Sequence, residues 1–162
     1  MSVAFRRDGD EEHLEPKFEI PIPPGPNLVT ARGKALIDER VRAFAAMLEA
    51  PNDEAGLTAA RRDLRYWQTR QITAEVMPPP AGDTVEFGTT VSFTLHGKPR
   101  TLSIVGSDEA DGAGDLLSFT APLARALLGA EPGDLLPFGG KDGAIEVLAV
   151  TVLPAAPVRS CP

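Results

Sequence analysis

The chain has 162 residues, of which 43% are hydrophobic and 24% are charged. This length is enough for one ordinary domain or two small ones, and it is too short for a large multidomain enzyme. The 16 Lys and Arg residues against 23 Asp and Glu residues give a formal net charge of -7, which argues against a basic face that tracks a nucleic-acid backbone. We therefore expect nucleic acid to be reached only indirectly, through a protein partner.

The distribution of apolar and metal-binding residues excludes further classes of protein. The longest apolar segment, Ala144 to Val152, contains Glu146, so we expect no membrane-spanning helix and no membrane partner. The first residues turn acidic before any hydrophobic stretch, which predicts no secretory signal and a cytoplasmic location. The sequence has one cysteine, Cys161, and two imidazoles, His13 and His96. These ligands are too few for a zinc site, and we expect no bound cofactor.

Residues 1–27 are rich in proline and in acidic side chains. Prolines at this density remove backbone donors and favour an extended conformation. The segment is therefore predicted to be a tail, flexible or partly docked. Its acidic run is either solvated or a docking element for a basic groove.

Residues 28–78 have the period of two helices, and Thr30 is placed to cap the first. A 4-3-4 spacing of apolar residues in the first helix is formed by Ile37, Val41, Phe44 and Leu48. The seam of the second helix is formed by Leu57, Ala60, Leu64, Trp67, Gln71 and Ala74. Pro51 predicts a turn near residues 49–53, so the helices form an antiparallel hairpin, a short coiled coil. Beside the seam lie four arginines, predicted to be solvated ion-pair partners or contacts for an acidic partner: Arg61, Arg62, Arg65 and Arg70.

Residues 79–154 change to the period of strands. The predicted strands are residues 89–95, 100–105, 116–119 and 144–153, with a turn at residues 96–99. Pro122 to Leu128 is predicted to be a short apolar helix closed by Gly129. The predicted fold class is α+β, with a helical hairpin followed by a small curved sheet that packs one helix. A flexible tail is expected at residues 155–162.

Several of these segments resemble the bacterial Gre family of transcription elongation factors. The motifs similar to its C-terminal domain are Val85 to Val91, Ile104 to Asp111, Ala121 to Gly129 and Pro132 to Asp134, and Thr30 to Gly33 resembles the start of its N-terminal hairpin. The resemblance covers residues 28–154 in the right order. It implies an FKBP-like C-terminal fold that docks on RNA polymerase beside the secondary channel, with the hairpin inserted into that channel.

The resemblance also implies a docking surface on the short helix. Its candidate residues are Pro122, Leu123, Arg125 and Leu127. Helix start and core packing also explain Pro122 and at least one of the leucines, and Arg125 is also explained as a surface ion-pair partner. The family has Ser before this proline, where this chain has Ala121. Either Thr120 supplies the missing cap from one position earlier, or the change costs about 1 kcal/mol locally. The acids of the preceding motif are interpreted as turn and solubility residues: Asp108, Glu109 and Asp111.

The hairpin tip departs from the family. Gre factors present an Asp and a Glu there, which help to hold the second Mg²⁺ of the polymerase active site, because Mg²⁺ takes hard oxygen ligands. This chain has Glu49, Asp53 and Glu54 at its tip, without the family's spacing. The last two acids are also explained by the positive end of the second helix.

The predicted length of the hairpin bears on the same question. Thr30 to Leu48 spans about 28 Å of helix, and each turn missing relative to longer Gre factors withdraws the tip by about 5.4 Å. The shortening resembles the regulator of nucleoside diphosphate kinase, a Gre relative with a reduced coiled coil.

The expected function is that of a monomeric Gre-family protein. It binds RNA polymerase at the rim of the secondary channel and modulates elongation or initiation, without being an enzyme and without efficient stimulation of transcript cleavage. One alternative is a true cleavage-stimulating factor, for which Mg²⁺ would be the polymerase's own shared ion. A second alternative is a prolyl isomerase of the FKBP type.

Overall fold

The computed structural model describes residues 19–50, 53–111 and 115–154. These residues form three helices and seven strands, in an α+β arrangement with one mixed sheet and one small sheet. The chain divides into a hairpin unit, which includes Asp38–Ile72, and a sheet unit, which includes Pro26–Ile37 and the chain from Thr73 onward. The predictions for residues 1–18, for Pro51 in the hairpin turn and for the tail at 155–162 lie outside the described residues.

The helices are α1, Ala31–Glu49, and α2, Glu54–Thr73. Gly33 N–H donates to the Thr30 hydroxyl at 2.9 Å, which confirms the predicted cap of α1. Asp38 accepts a hydrogen bond from the Gln71 side chain at 2.9 Å, so the two helices run antiparallel, as predicted. No helix in the described part of the chain is long and apolar enough to cross a membrane.

The main sheet has five strands in the order β5-β4-β3-β7-β6. Their bounds are β3 Thr89–Leu95, β4 Lys98–Val105, β5 Leu116–Ser118, β6 Leu135–Phe138 and β7 Lys141–Val152. All neighbouring pairs are antiparallel except β4 and β5, which are parallel. A third helix, α3, Pro122–Leu127, contributes to the same core, in which the largest side chains are Phe93, Ile104, Leu127 and Ile145. The sequence pattern does not predict β6.

The turn between β3 and β4 is shorter than predicted. Only His96 and Gly97 form it, with φ of 50° and 81°, and two positive φ angles in succession define the tight turn that matches strand twist. Pro99 therefore lies in β4 opposite Thr94, at a position where β5 does not pair with β4. A proline, which lacks the N–H that such pairing needs, is compatible with this open edge.

Two further strands were not predicted. β1, Asn27–Val29, pairs in parallel with β2, Ala74–Val76. The second helix therefore ends one residue earlier than its apolar seam indicated, and Ala74 lies in a strand. β1 also lies against Gly106, where a Cβ atom would be 2.4 Å from the Leu28 carbonyl oxygen. Only glycine fits that position without a shift of the backbone.

Candidate functional site

The helix α3 is built by local backbone preferences. Pro122 occupies its first turn after an extended Ala121, and Gly129 follows its end with a φ of 87°. No side chain caps its start. The expected substitute, Thr120, makes a hydroxyl contact with Ser118 at 2.8 Å instead. The start of α3 therefore lacks the cap that Ser provides in the family, and no other side chain replaces it.

The structure separates the four candidate docking residues. Pro122 and Arg125 are exposed and Leu123 is half-buried, whereas Leu127 is fully buried in the core. This corrects the assignment of Leu127 to a docking surface, because a side chain without solvent exposure cannot meet a partner. Leu128, which the sequence analysis did not single out, is 39% exposed next to it. We define the docking patch as Pro122, Leu123, Arg125 and Leu128.

The acidic loop before β5 has an unexpected member. The side chain of Glu109 is only 3% exposed, so it is not a solubility residue as the sequence suggested. Its Oε1 accepts a hydrogen bond from the Thr30 hydroxyl, and its Oε2 lies 3.6 Å from Nε of Arg32. Asp111 keeps the predicted turn role, since its Oδ1 accepts from Leu116 N–H at 3.4 Å.

The Thr30 to Gly33 segment and the Ile104 to Asp111 segment therefore form one cluster. We call Thr30, Arg32, Gly33 and Glu109 the Glu109 cluster. A Cβ at Gly33 would lie 2.9 Å from Oε1 of Glu109, so glycine leaves room for the carboxylate. The Thr30 oxygen accepts from the helix backbone and donates to Glu109, so one side chain joins the start of α1 to the loop. In the sequence, the contact between Thr30 and Glu109 has no local signal. Its only indication is that the Thr30 to Gly33 motif and the Ile104 to Asp111 motif occur in the same chain.

The tip acids Glu49, Asp53 and Glu54 are all exposed. Oδ1 of Asp53 accepts a hydrogen bond from Gly56 N–H at 2.9 Å, which makes Asp53 the cap of α2. Glu54 lies in the first turn, where the helix dipole favours a negative charge. Within the described ranges, no three acidic, His or Cys residues are grouped so that they could hold a metal ion.

The four hairpin arginines differ in their surroundings. Arg62 pairs with Asp63 at 3.1 Å, and Arg65 pairs with Glu19, a hydrogen bond that raises the pKa of Arg65 above its ordinary value. Arg61 is exposed. Arg70 is 3% exposed, which corrects its predicted place on a solvated flank.

Comparison with known proteins identifies the family. The family model described as transcription elongation factor, GreA/GreB, C-term, matches residues 79–153. The transcription elongation factor GreA of Pseudomonas putida is 34% identical over 157 residues, which covers 94% of this chain and 94% of that protein. The chain belongs to the GreA/GreB family. A second GreA, from Thioalkalivibrio sulfidiphilus, is 36% identical over 134 residues, covering 70% of this chain and 84% of that protein.

The matched part of this GreA/GreB protein contains the five-stranded sheet, α3 and Glu109. Among solved structures, a GreA/GreB factor from Nitrosomonas europaea is 21% identical, with a TM-score of 0.39 over 79% of this chain and 99% of that chain. A likeness at this level adds nothing to the assignment, which depends on the sequence relatives.

The Glu109 cluster predicts a large effect of a single substitution. Glu109→Ala should lower the free energy of unfolding by about 1–3 kcal/mol, because it removes the acceptor of Thr30 and the partner of Arg32. Urea denaturation followed by circular dichroism measures this change. Glu86→Ala, which truncates an exposed acid in the same unit, should stay within about 0.5 kcal/mol of the wild type. If Glu109→Ala and the wild type had equal free energies of unfolding, the Glu109 cluster would contribute nothing to the stability of the fold.

The tip predicts a different pattern. Asp53→Ala should destabilise the protein by about 1 kcal/mol, whereas Asp53→Asn should be nearly neutral, because both Asp and Asn cap helices well. Thermal denaturation of both variants, with Glu49→Ala as an exposed control, makes the comparison. If Asp53→Asn lost as much stability as Asp53→Ala, the negative charge and not the capping oxygen would be the important feature.

Proposed function

We propose that this GreA/GreB-family protein binds RNA polymerase as a monomer through the docking patch, at the rim of the secondary channel. There it modulates transcription elongation or initiation. The observation that carries the proposal is the similarity to GreA along 94% of both chains, together with an exposed, partly apolar patch on α3. Such a patch with polar groups at its border is typical of protein-binding surfaces. The five strands with α3 support an FKBP-like fold for residues 79–154 as part of the same proposal.

We further infer that the protein does not stimulate transcript cleavage efficiently. α1 has 19 residues and α2 has 20, so each helix is about 30 Å long. Each turn that is missing relative to the longer Gre factors withdraws the tip from the polymerase active site by about 5.4 Å. Asp53 already uses one carboxylate oxygen to cap α2, and this use competes with metal ligation by the same carboxylate.

The alternative of a true cleavage-stimulating factor is supported by one observation. Glu49, Asp53 and Glu54 are all exposed at the end of the hairpin, so their charges are open to a partner. An exposed carboxylate can exchange a capping bond for a metal at modest cost, because the cap contributes only about 1 kcal/mol. Modulation without cleavage and stimulation of cleavage differ in whether the hairpin tip reaches the active site of RNA polymerase.

The docking patch generates the first functional prediction. Leu123→Asp should weaken binding to purified RNA polymerase by at least about tenfold, because it places a charge in the apolar part of the patch. Fluorescence anisotropy of the labelled full-length chain measures the dissociation constant. The full chain is needed because β1 and the start of α1 belong to the sheet unit.

The matched control is Leu135→Asp, which changes a leucine that is 66% exposed on β6, outside the patch. It should leave the affinity within about twofold of the wild type, since an exposed substitution away from the interface changes little. Circular dichroism verifies that both variants are folded. Equal affinities of a folded Leu123→Asp variant and the wild type would refute docking through this patch.

The hairpin generates the second functional prediction. In a backtracked elongation complex, a saturating amount of this protein should produce no RNA cleavage, yet it should reduce the cleavage stimulated by an authentic Gre factor. Joint replacement of Glu49, Asp53 and Glu54 by Ala should preserve this competition, because on this proposal the acids serve the helix and ligate no metal. Gel analysis of the transcript measures both effects.

Two outcomes of this experiment contradict the proposal in different ways. Cleavage by the wild type that the triple variant loses would establish the cleavage-stimulating alternative. Absence of both cleavage and competition would instead refute polymerase binding, and the family fold would then serve another partner.

A further inference from the structure

The sheet unit contains an open cavity that the proposed function does not use. It lies between the start of α1, the segment 76–80 and the end of β7, and its volume is about 520 Å³. This volume falls within the range of about 300–1,000 Å³ that is typical of small-molecule sites. Most of its lining is apolar and includes the three consecutive prolines 78–80, Phe87, Val152 and Leu153.

The charge of this lining comes from one residue. Arg32 lines the cavity, and no acidic side chain does so in the described part of the chain. Its side chain is 46% exposed, and its Nε faces Oε2 of the buried Glu109 at 3.6 Å. No hydrogen bond joins its two Nη groups to another described residue. The contact between Arg32 and Glu109 is thus an ion pair without a hydrogen bond, and the outer donors of the guanidinium remain available to a ligand.

The backbone adds to this positive potential. Thr30, Ala31 and Arg32 line the cavity and form the start of α1, a helix with no acidic residue in its first turn. The N-terminal end of a helix carries a partial positive charge. A ligand that matches both the apolar lining and this charge has an apolar body and an anionic head.

We propose that the cavity binds a small apolar carboxylate. The carboxylate accepts two parallel hydrogen bonds from the Nη groups of Arg32, a geometry that guanidinium provides and ammonium does not. The hydrocarbon part packs against the prolines and Phe87, where burial of apolar surface is favourable. The proposal is independent of polymerase binding, since none of the docking-patch residues lines the cavity.

Isothermal titration calorimetry of the full-length chain with decanoate, below its micellar concentration, tests the proposal. Decanol, which has the same chain without the charge, and decyltrimethylammonium, which reverses the charge, are the ligand controls. We expect saturable binding of decanoate, with affinities of both controls lower by at least about tenfold, the loss typical of a charged hydrogen bond.

Two protein variants test the site independently. Arg32→Gln removes the cation, and Val152→Asp places a negative charge in the lining at a residue that is 40% exposed. Each should weaken decanoate binding by at least about tenfold. Leu148→Asp, on the same strand but outside the lining, changes a residue that is 49% exposed and should leave binding unchanged. Circular dichroism identifies any variant that has lost its fold. If Arg32→Gln is unfolded, the Val152→Asp variant still tests the site.

Four outcomes would overturn the proposal. Absence of saturable decanoate binding would exclude the site, and equal binding of decanoate and decanol would exclude the role of the charge. Binding that appears only after removal of residues 155–162 would assign the cavity to the chain's own C-terminal residues. Retained binding in the folded Arg32→Gln and Val152→Asp variants would place the ligand elsewhere.

Discussion

Glu109 is a carboxylate with almost no access to water, and such a group is stable only where donors and positive charge surround it. The start of α1 supplies the Thr30 hydroxyl, the Arg32 guanidinium and the positive end of the helix. Because the Thr30 oxygen also accepts the N–H of Gly33, the helix start and the acidic loop stabilise each other. The hydrogen bond between Thr30 and Glu109 joins residues 79 positions apart, and Glu109 also faces the arginine that lines the neighbouring cavity.

The parts of the fold that local chemistry determines were predictable from the sequence. A capping hydroxyl at Thr30, a proline at Pro122 and a left-handed glycine at Gly129 each act within one helical turn, so their pattern was sufficient. The short strands β1, β2 and β6 have only three or four residues each. Of the strands this short, the sequence pattern predicts only β5, and the pairing of Asn27 with Ala74 is determined by a partner far along the chain.

The candidate site was predictable to a smaller extent. Leu123 and Leu127 are four residues apart on one face of α3, so period alone gives them the same environment. The core encloses only the second, and this difference depends on tertiary packing. Glu109 and Arg70 are buried charges in segments that look solvated, and for Glu109 the partner Thr30 lies far along the chain. Asp53 was interpretable in advance, because a helix cap is a local feature.

The chain enters the helical hairpin after β1 and returns from it into β2, and these two strands pair with each other. β1 ends at Val29 just before α1 begins at Ala31, and α2 ends at Thr73 just before β2 begins at Ala74. Insertions or deletions at the tip, one turn in each helix, would therefore leave the parallel pairing of β1 and β2 unchanged. Each such pair of turns changes the span of the hairpin by about 5.4 Å. The reach of the hairpin can therefore change in steps of one helical turn while the residues of the sheet unit stay the same.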